Sequence, residues 1–320
     1  MRFIRNNTLL EKLFIVDGVG RSGKVLLSDI LSCFPTVEVQ QFVEFIEYIS
    51  LAFHYDKISE DIAQSILKTQ LDTQLYNLMI GRSLNSRPTD STSYYRYHSP
   101  EKYIARTTSL DGPVVMERVS SENPIYLIWT HDLIYKSKLM FKTFGSKITY
   151  FYLNRNPIDI IYEWDLKNFG RRIGDDPTDL QYLIKYNKET VPEIVSGWGN
   201  IFMDLNPLER IVHMIYCCFK RNLDAIKLNN NRKNFVIINF EDLITDTDSV
   251  INRIGKFIKL EPLPALSSIL ARENCPRELD PKQTTIRRNK IFDGINKSTQ
   301  SYLYETLEMY EIIKKLTDNK

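Results

Sequence analysis

The chain has 320 residues, of which 43% are hydrophobic and 26% are charged, an ordinary globular composition that is long enough for one large α/β domain or two small ones. Its 42 Lys and Arg residues against 40 Asp and Glu residues leave a net charge of +2, which argues against a nucleic acid or a membrane surface as the partner. Any anion site must therefore be local.

Neither a membrane span nor a signal peptide is predicted. No stretch reaches the roughly 18 apolar residues that a span needs, and residues 1–18 lack a separate apolar region followed by small residues. The four cysteines have neither metal-ligand spacing nor the density of a disulfide framework. We expect buried free thiols and a cytoplasmic protein.

Apolar runs alternate with segments of helical periodicity along the chain. Residues 13–18 form an apolar run that ends in glycine, and residues 23–34 follow with helical spacing. Further elements are expected as strands at 36–41, 112–119, 124–131, 147–155 and 234–243, as helices at 42–55, 59–81, 207–228 and 298–316, as a loop at 82–99, and as a turn at Asp175 and Asp176. This alternation predicts an α/β fold with a central parallel β-sheet flanked by helices.

The turn between the first strand and the first helix, "DGVGRSGKV" (17–25), has phosphate-binding chemistry. A glycine-rich loop at a helix start directs its N–H groups to one spot, where the helix dipole also favours an anion. Gly18, Gly23 and Lys24 match the first seven positions of a nucleoside-triphosphate loop. Val25 then stands where that loop has a magnesium-binding hydroxyl. An ATP-dependent small-molecule kinase, a loop for another phosphorylated ligand, and a glycine turn that only permits close packing all remain open at this point.

A second segment, "KITYFYLNRNPIDIIYEW" (147–164), places Arg155 at the carboxyl end of a buried strand, before Asn-Pro and a new helix. Ligands of open parallel sheets bind beyond the carboxyl ends of the strands. Arg155 and the glycine-rich turn are therefore expected to face the same crevice.

Together these motifs resemble those of the sulfotransferase family. "RSGKV" (21–25) is similar to the family's "RSGTT", "RNPID" (155–159) is similar to its "RNPxD" or "RDPxD", and 234–260 is similar to its strand, "EDL" turn and helix. The resemblance implies one P-loop-type α/β domain over 1–320, with helical insertions at about 42–110 and 165–205.

The resemblance also implies a donor, 3′-phosphoadenosine-5′-phosphosulfate, and no metal. Its 5′-phosphosulfate would lie in a cradle formed by Gly20, Arg21, Ser22, Gly23, Lys24 and Val25. Arg21 would stabilise the leaving phosphate, and Arg155 would bind the 3′-phosphate. Fixed cations and amide dipoles at that place would lower the barrier to in-line sulfuryl transfer.

Two residues are candidates for the base that takes the acceptor's proton. "WTH" (129–131) resembles the family's "KTH" and gives His131, because histidine side chains are common general bases near neutral pH. Glu117 is the competitor, because other branches of the family use a glutamate at the end of the corresponding strand.

Some positions depart from the family pattern. Glu163 stands where the family has a serine that shares the 3′-phosphate, so either the helix register differs or the 3′ site is altered. Arg287 and Arg288 are what is left of a basic stretch. A homologue that has lost catalysis and only binds a nucleotide or a partner is the alternative from another class. The acceptor is expected to be a small molecule or a saccharide, and the sequence leaves the oligomeric state open.

Overall fold

A parallel sheet of five strands, in the order β2-β3-β1-β4-β7, forms the centre of the protein. The computed structural model describes residues 1–174 and 181–317, so the predicted turn at Asp175 and Asp176 lies outside the described residues. The strands are β1 Lys12–Asp17, β2 Gln41–Phe42, β3 Ile125–Trp129, β4 Ile148–Asn154, β5 Leu183–Tyr186, β6 Glu189–Pro192 and β7 Phe235–Asn239. The predicted α/β fold with a central parallel sheet is confirmed.

Both faces of the sheet are covered, which explains why its strands read as continuous apolar runs. In β1, Ile15 belongs to one hydrophobic core, whereas Phe14 and Val16 belong to the core on the opposite face. β1 is the middle strand and pairs with both β3 and β4, with Ile15 opposite Ile128 and Tyr150.

Helices follow most of the strands and supply the two layers. They are α1 Lys24–Leu31, α2 Glu44–His54, α3 Glu60–Met79, α4 Pro100–Arg106, α5 Pro113–Glu122, α6 Lys138–Phe144, α7 Pro157–Leu166, α8 Gly199–Phe202, α9 Pro207–Asn229, α10 Phe240–Thr245, α11 Thr247–Ile258, α12 Leu266–Arg272, α13 Pro281–Asp293 and α14 Lys297–Thr317. Apolar residues of α1, α10 and α11 join the smaller core, and those of α2, α3, α6, α7, α9 and α14 join the larger one. In the described ranges, no helix is both long and apolar enough to cross a membrane.

Three strand predictions need correction. The predicted strand 234–243 ends at Asn239, because α10 begins at Phe240. Residues 112–119 form the start of α5 and not a strand, because Gly112 and Pro113 provide a helix start and only Val115 of the helix is buried. Of residues 36–41, only Gln41 belongs to a strand, β2, and Val37 forms an isolated bridge.

The two segments that were predicted to be insertions differ in character. Residues 42–110 contain α2, α3 and α4. The 165–205 segment is helical only in part, since β5 and β6 form an antiparallel hairpin within it. The expectation of free thiols is confirmed, because all four cysteines are buried and unpaired.

Candidate active site

The glycine-rich turn, residues 18–23, joins β1 to α1. Gly23 is the N-cap of α1 with φ 97°, and it gives the helix no capping side chain. A Cβ atom at Gly23 would overlap the ring of Phe240, so only glycine fits there. The first N–H groups of α1 are consequently available to an anion, which the helix dipole also attracts.

Ser22 adds a polar group that lacks a partner. It is 1% exposed, and its Oγ has no hydrogen-bond partner among the described residues. Leaving such a group unsatisfied costs about 1–3 kcal/mol. A phosphate oxygen in the turn would satisfy it, so the residues present fit a phosphorylated ligand.

Lys24 is committed to the turn itself. Its Nζ donates to the carbonyl oxygens of Gly18 and Val19, at 2.9 Å each. Burial lowers the pKa of Lys24, an effect that the nearby Asp17 and Asp132 carboxylates oppose. Because its ammonium holds the backbone of the turn, direct phosphate binding by Lys24 stays a prediction. Val25, the next residue, lies partly exposed at the start of α1.

Arg155 lies beside the turn, as the sequence predicted. Its Nη1 donates to the carbonyl oxygen of Arg21 at 2.6 Å, and its guanidinium lies 4.5 Å from the centre of the Phe240 ring. α7 starts at this place because the Asn156 side chain accepts a hydrogen bond from the Ile158 N–H and Pro157 fits the first helical position. The two motifs therefore meet at the carboxyl edge of the sheet.

α7 also contacts the turn directly. Trp164 Nε1 donates to the Gly20 carbonyl at 2.9 Å, and Glu163 forms an ion pair with Arg21 at 2.8 Å. Burial acts against ionisation of Glu163, but the hydrogen bond and charge of Arg21 hold its pKa below the usual value. The carboxylate that replaces the expected serine thus lies against the cation of the turn.

His131 follows β3, with a carboxylate behind it. Its backbone N–H donates to Glu47 Oε1 at 2.7 Å, and its Nδ1 lies 3.4 Å from the same oxygen. The ring packs edge-on against Phe42 and Trp129. Burial favours the neutral form of Glu47, but His131 and Lys136 outweigh this effect and lower its pKa, which keeps this glutamate ionised.

A buried carboxylate that the sequence analysis missed joins the turn to the His131 segment. Asp17, at the end of β1, accepts hydrogen bonds from Thr130 Oγ1 at 3.0 Å, from the N–H groups of Leu133 and Ile134, and from the Tyr150 hydroxyl at 2.7 Å. Burial and the neighbouring Asp132 raise the pKa of Asp17. An aspartate closing an apolar strand was the available signal.

The remaining candidates lie elsewhere or pair with acids. Glu117 is exposed on α5, not at a strand end, so the reason for considering it as the base is wrong. Arg287 bonds Asp159 at 2.6 Å and lies over the Tyr162 ring on α7, which brings it into the charge environment of Arg155. Arg288 is exposed and lies over Phe292 of its own helix.

A cavity of about 420 Å³ opens beside the turn. Arg21 and His131 both line it, so the turn and the imidazole face one space. Its walls are largely aromatic and apolar, formed by Phe42, Tyr48, Tyr135, Trp164, Phe169, Tyr182, Ile194 and Met214. Among the described residues, no group of three or more His, Cys, Asp and Glu side chains is arranged to hold a metal ion.

Comparisons with known proteins agree with this architecture. No protein-family model matches the chain, and no curated protein matches it. The sulfotransferase domain of the Synechococcus PCC 7002 olefin synthase superposes with a TM-score of 0.50 over 97% of this chain and 98% of that domain, at 12% identity. The chain has a sulfotransferase-type fold. Its central sheet is thereby of the P-loop type that the sequence predicted.

Two further structures show the same similarity at lower scores. The similarity to mouse sulfotransferase SULT7A1, solved as a complex with PAP, extends over 97% of this chain and 88% of that protein, at 12% identity and a TM-score of 0.44. The similarity to the sulfotransferase domain from the curacin biosynthetic pathway extends over 80% of this chain and 77% of that domain, at 12% identity and a TM-score of 0.45.

Proposed function

We propose that the protein is a sulfotransferase that moves a sulfuryl group from 3′-phosphoadenosine-5′-phosphosulfate to a hydroxyl, or an amine, of an acceptor held in the aromatic cavity. The observations that carry the proposal are that Arg21 and His131 line one cavity, that Arg155 bonds the backbone of the same turn, and that the Ser22 hydroxyl in this turn has no partner among the described residues. Val25 cannot supply the magnesium-binding hydroxyl that an ATP-dependent kinase needs.

The turn would hold the 5′-phosphosulfate of the donor. The free N–H groups at the start of α1 and the Ser22 hydroxyl would donate to its oxygens, and the Arg21 guanidinium would face the bridging oxygen. Arg155, placed by β4 and stacked on Phe240, would bind the 3′-phosphate. This assignment follows the sulfotransferase resemblance, residue by residue.

In the reaction, the acceptor oxygen forms a bond to sulfur while the bond between sulfur and the bridging oxygen breaks, and the electron pair stays on the 5′-phosphate. Arg21 and the turn amides stabilise the charge that develops there. His131 takes the acceptor's proton, and Glu47 fixes the orientation of the imidazole through Nδ1. The proton then leaves His131 for water.

The cavity favours a small molecule with an apolar, flat body as acceptor, because aromatic walls bind such surfaces. A saccharide is the other class that the resemblance leaves open, and sugar rings also pack on aromatic side chains. We place the protein in the cytoplasm, which the four free thiols support.

The test is calorimetric titration with 3′-phosphoadenosine-5′-phosphate (PAP), in parallel with ATP and magnesium. We expect PAP to bind, and Arg21→Ala to weaken PAP binding by about tenfold to 100-fold, since a charged hydrogen bond contributes about 1.5–3 kcal/mol. Arg288→Ala is the matched control, because that arginine is exposed and contacts its own helix.

Binding of ATP with magnesium alone would refute the proposal in favour of a kinase. PAP binding without sulfuryl transfer to any member of a panel of phenols, alcohols and saccharides would favour the non-catalytic homologue. Transfer of radiolabelled sulfate to a panel member that is lost in His131→Ala would support both the reaction and the base.

A further inference from the structure

In the nucleotide half of the proposed site, the arginines of the described residues face an equal number of carboxylates. Among the described residues, the charges that act most strongly on Arg155 are those of the carboxylates Asp159, Glu241 and Glu163 and of the cation Arg287. Arg287 is already paired with Asp159 at 2.6 Å. Glu241 accepts hydrogen bonds from the Asn156 N–H at 2.8 Å and the Tyr310 hydroxyl at 3.0 Å.

Arg21 does not relieve this balance, because its guanidinium is paired with Glu163 at 2.8 Å. Among the described residues, the arginines Arg21, Arg155 and Arg287 therefore stand against the carboxylates Asp159, Glu163 and Glu241, although burial raises the pKa of Glu241. The 3′-phosphate beside Arg155 needs more positive charge than these paired groups provide.

Glu163 is the carboxylate that acts on both halves of the site. It bonds Arg21 in the turn, and its charge also reaches Arg155. A carboxylate repels a phosphate group but accepts hydrogen bonds from ribose hydroxyls. Acidic side chains therefore favour nucleotides with a free ribose hydroxyl over nucleotides with a phosphate at that position.

On the basis of the proposed function, we infer that Glu163 cancels the preference for a 3′-phosphate, so that adenosine 5′-phosphosulfate serves as donor as well as its 3′-phosphorylated form. The reaction keeps its balance: the sulfuryl group moves to the acceptor oxygen, the bond from sulfur to the phosphate oxygen breaks, and adenosine 5′-phosphate leaves. The acceptor's proton goes to His131.

The experiment compares two product nucleotides, adenosine 5′-phosphate and PAP, by calorimetry on the full chain. In the wild type we expect the two dissociation constants to agree within about threefold. In Glu163→Ser we expect the ratio of the two dissociation constants to shift by at least about tenfold in favour of PAP. Glu163→Gln, which keeps the side-chain size, should move the ratio in the same direction.

Asp165→Asn is the matched control, since Asp165 lies on the same helix and pairs with Lys290 at 3.0 Å. It should leave the ratio unchanged. A wild type that prefers PAP by about tenfold or more would overturn the inference and leave the proposed function standing. An unchanged ratio in both Glu163 variants would also overturn it. Failure of both nucleotides to bind would overturn the proposed function and the inference together.

Discussion

Replacing Ser22 by alanine should stabilise the free protein and weaken nucleotide binding. The Ser22 hydroxyl is buried without a hydrogen-bond partner among the described residues, so its removal relieves a desolvation cost. Removing a desolvation cost at the lower end of the usual range should raise the free energy of unfolding by about 1 kcal/mol. The same hydroxyl would donate to a phosphate oxygen, and its loss should weaken PAP binding by about tenfold to 100-fold.

Ser28 provides a matched control on α1, the helix that follows the turn. It is 0% exposed, and its Oγ also has no hydrogen-bond partner within the described part of the chain. Ser28→Ala should therefore stabilise the protein by a similar amount and leave PAP binding unchanged. Denaturant unfolding and calorimetry measure the two quantities separately. A Ser22→Ala protein that is less stable than the wild type, or that binds PAP with unchanged affinity, would refute the reasoning.

Three further predictions concern buried charges. Lys24→Met should lower the free energy of unfolding, measured by urea denaturation, by about 3 kcal/mol, because two turn carbonyls each lose one of their donors and the buried Asp17 and half-buried Asp132 lose a nearby cation; a change below about 1 kcal/mol would contradict this. Glu38→Gln should lower it by about 3 kcal/mol at pH 7, since Glu38 is paired with Arg106 in the interior. Burial favours the neutral form of Glu38, but Arg106 outweighs this effect and lowers its pKa. The stability that this ion pair contributes is therefore fully present above the ordinary glutamate pKa of about 4.3 and is lost as the pH falls below that value. If the variant lost stability equally steeply in acid, Glu38 would not be the group responsible. Glu47→Gln should lower kcat by about tenfold with PAP affinity unchanged, because Glu47 orients His131; steady-state transfer kinetics and calorimetry test this, and an unchanged kcat would remove Glu47 from the mechanism.

The sequence predicted the parts of the fold that depend on local pattern. β1, β3, β4 and β7 are buried on both faces, so each is an uninterrupted apolar run that a reader of the sequence recognises. The 112–119 segment also contains apolar residues, but its Gly-Pro start and its exposed surroundings make it a helix. Tertiary environment decided that case, and the apolar residues alone could not.

The candidate site divides in the same way. Arg21, Ser22 and Arg155 lie next to the ends of predicted strands, so the parallel sheet brings them to one edge and the sequence could anticipate it. Glu47 comes from a helix 84 residues before His131 in the chain, and no local pattern announces that contact. That the two insertions form one domain with the sheet stays a prediction.

α7 explains why the turn and the nucleotide half of the site are connected. Arg155 precedes this helix and donates to the Arg21 carbonyl, Glu163 holds the Arg21 side chain, and Trp164 donates to the Gly20 carbonyl. Three successive features of one short segment thus fix both the backbone and the charge of the turn. A substitution at Glu163 must therefore act on the two halves together, which is why its effect is measured as a ratio between two nucleotides and not as the affinity for one.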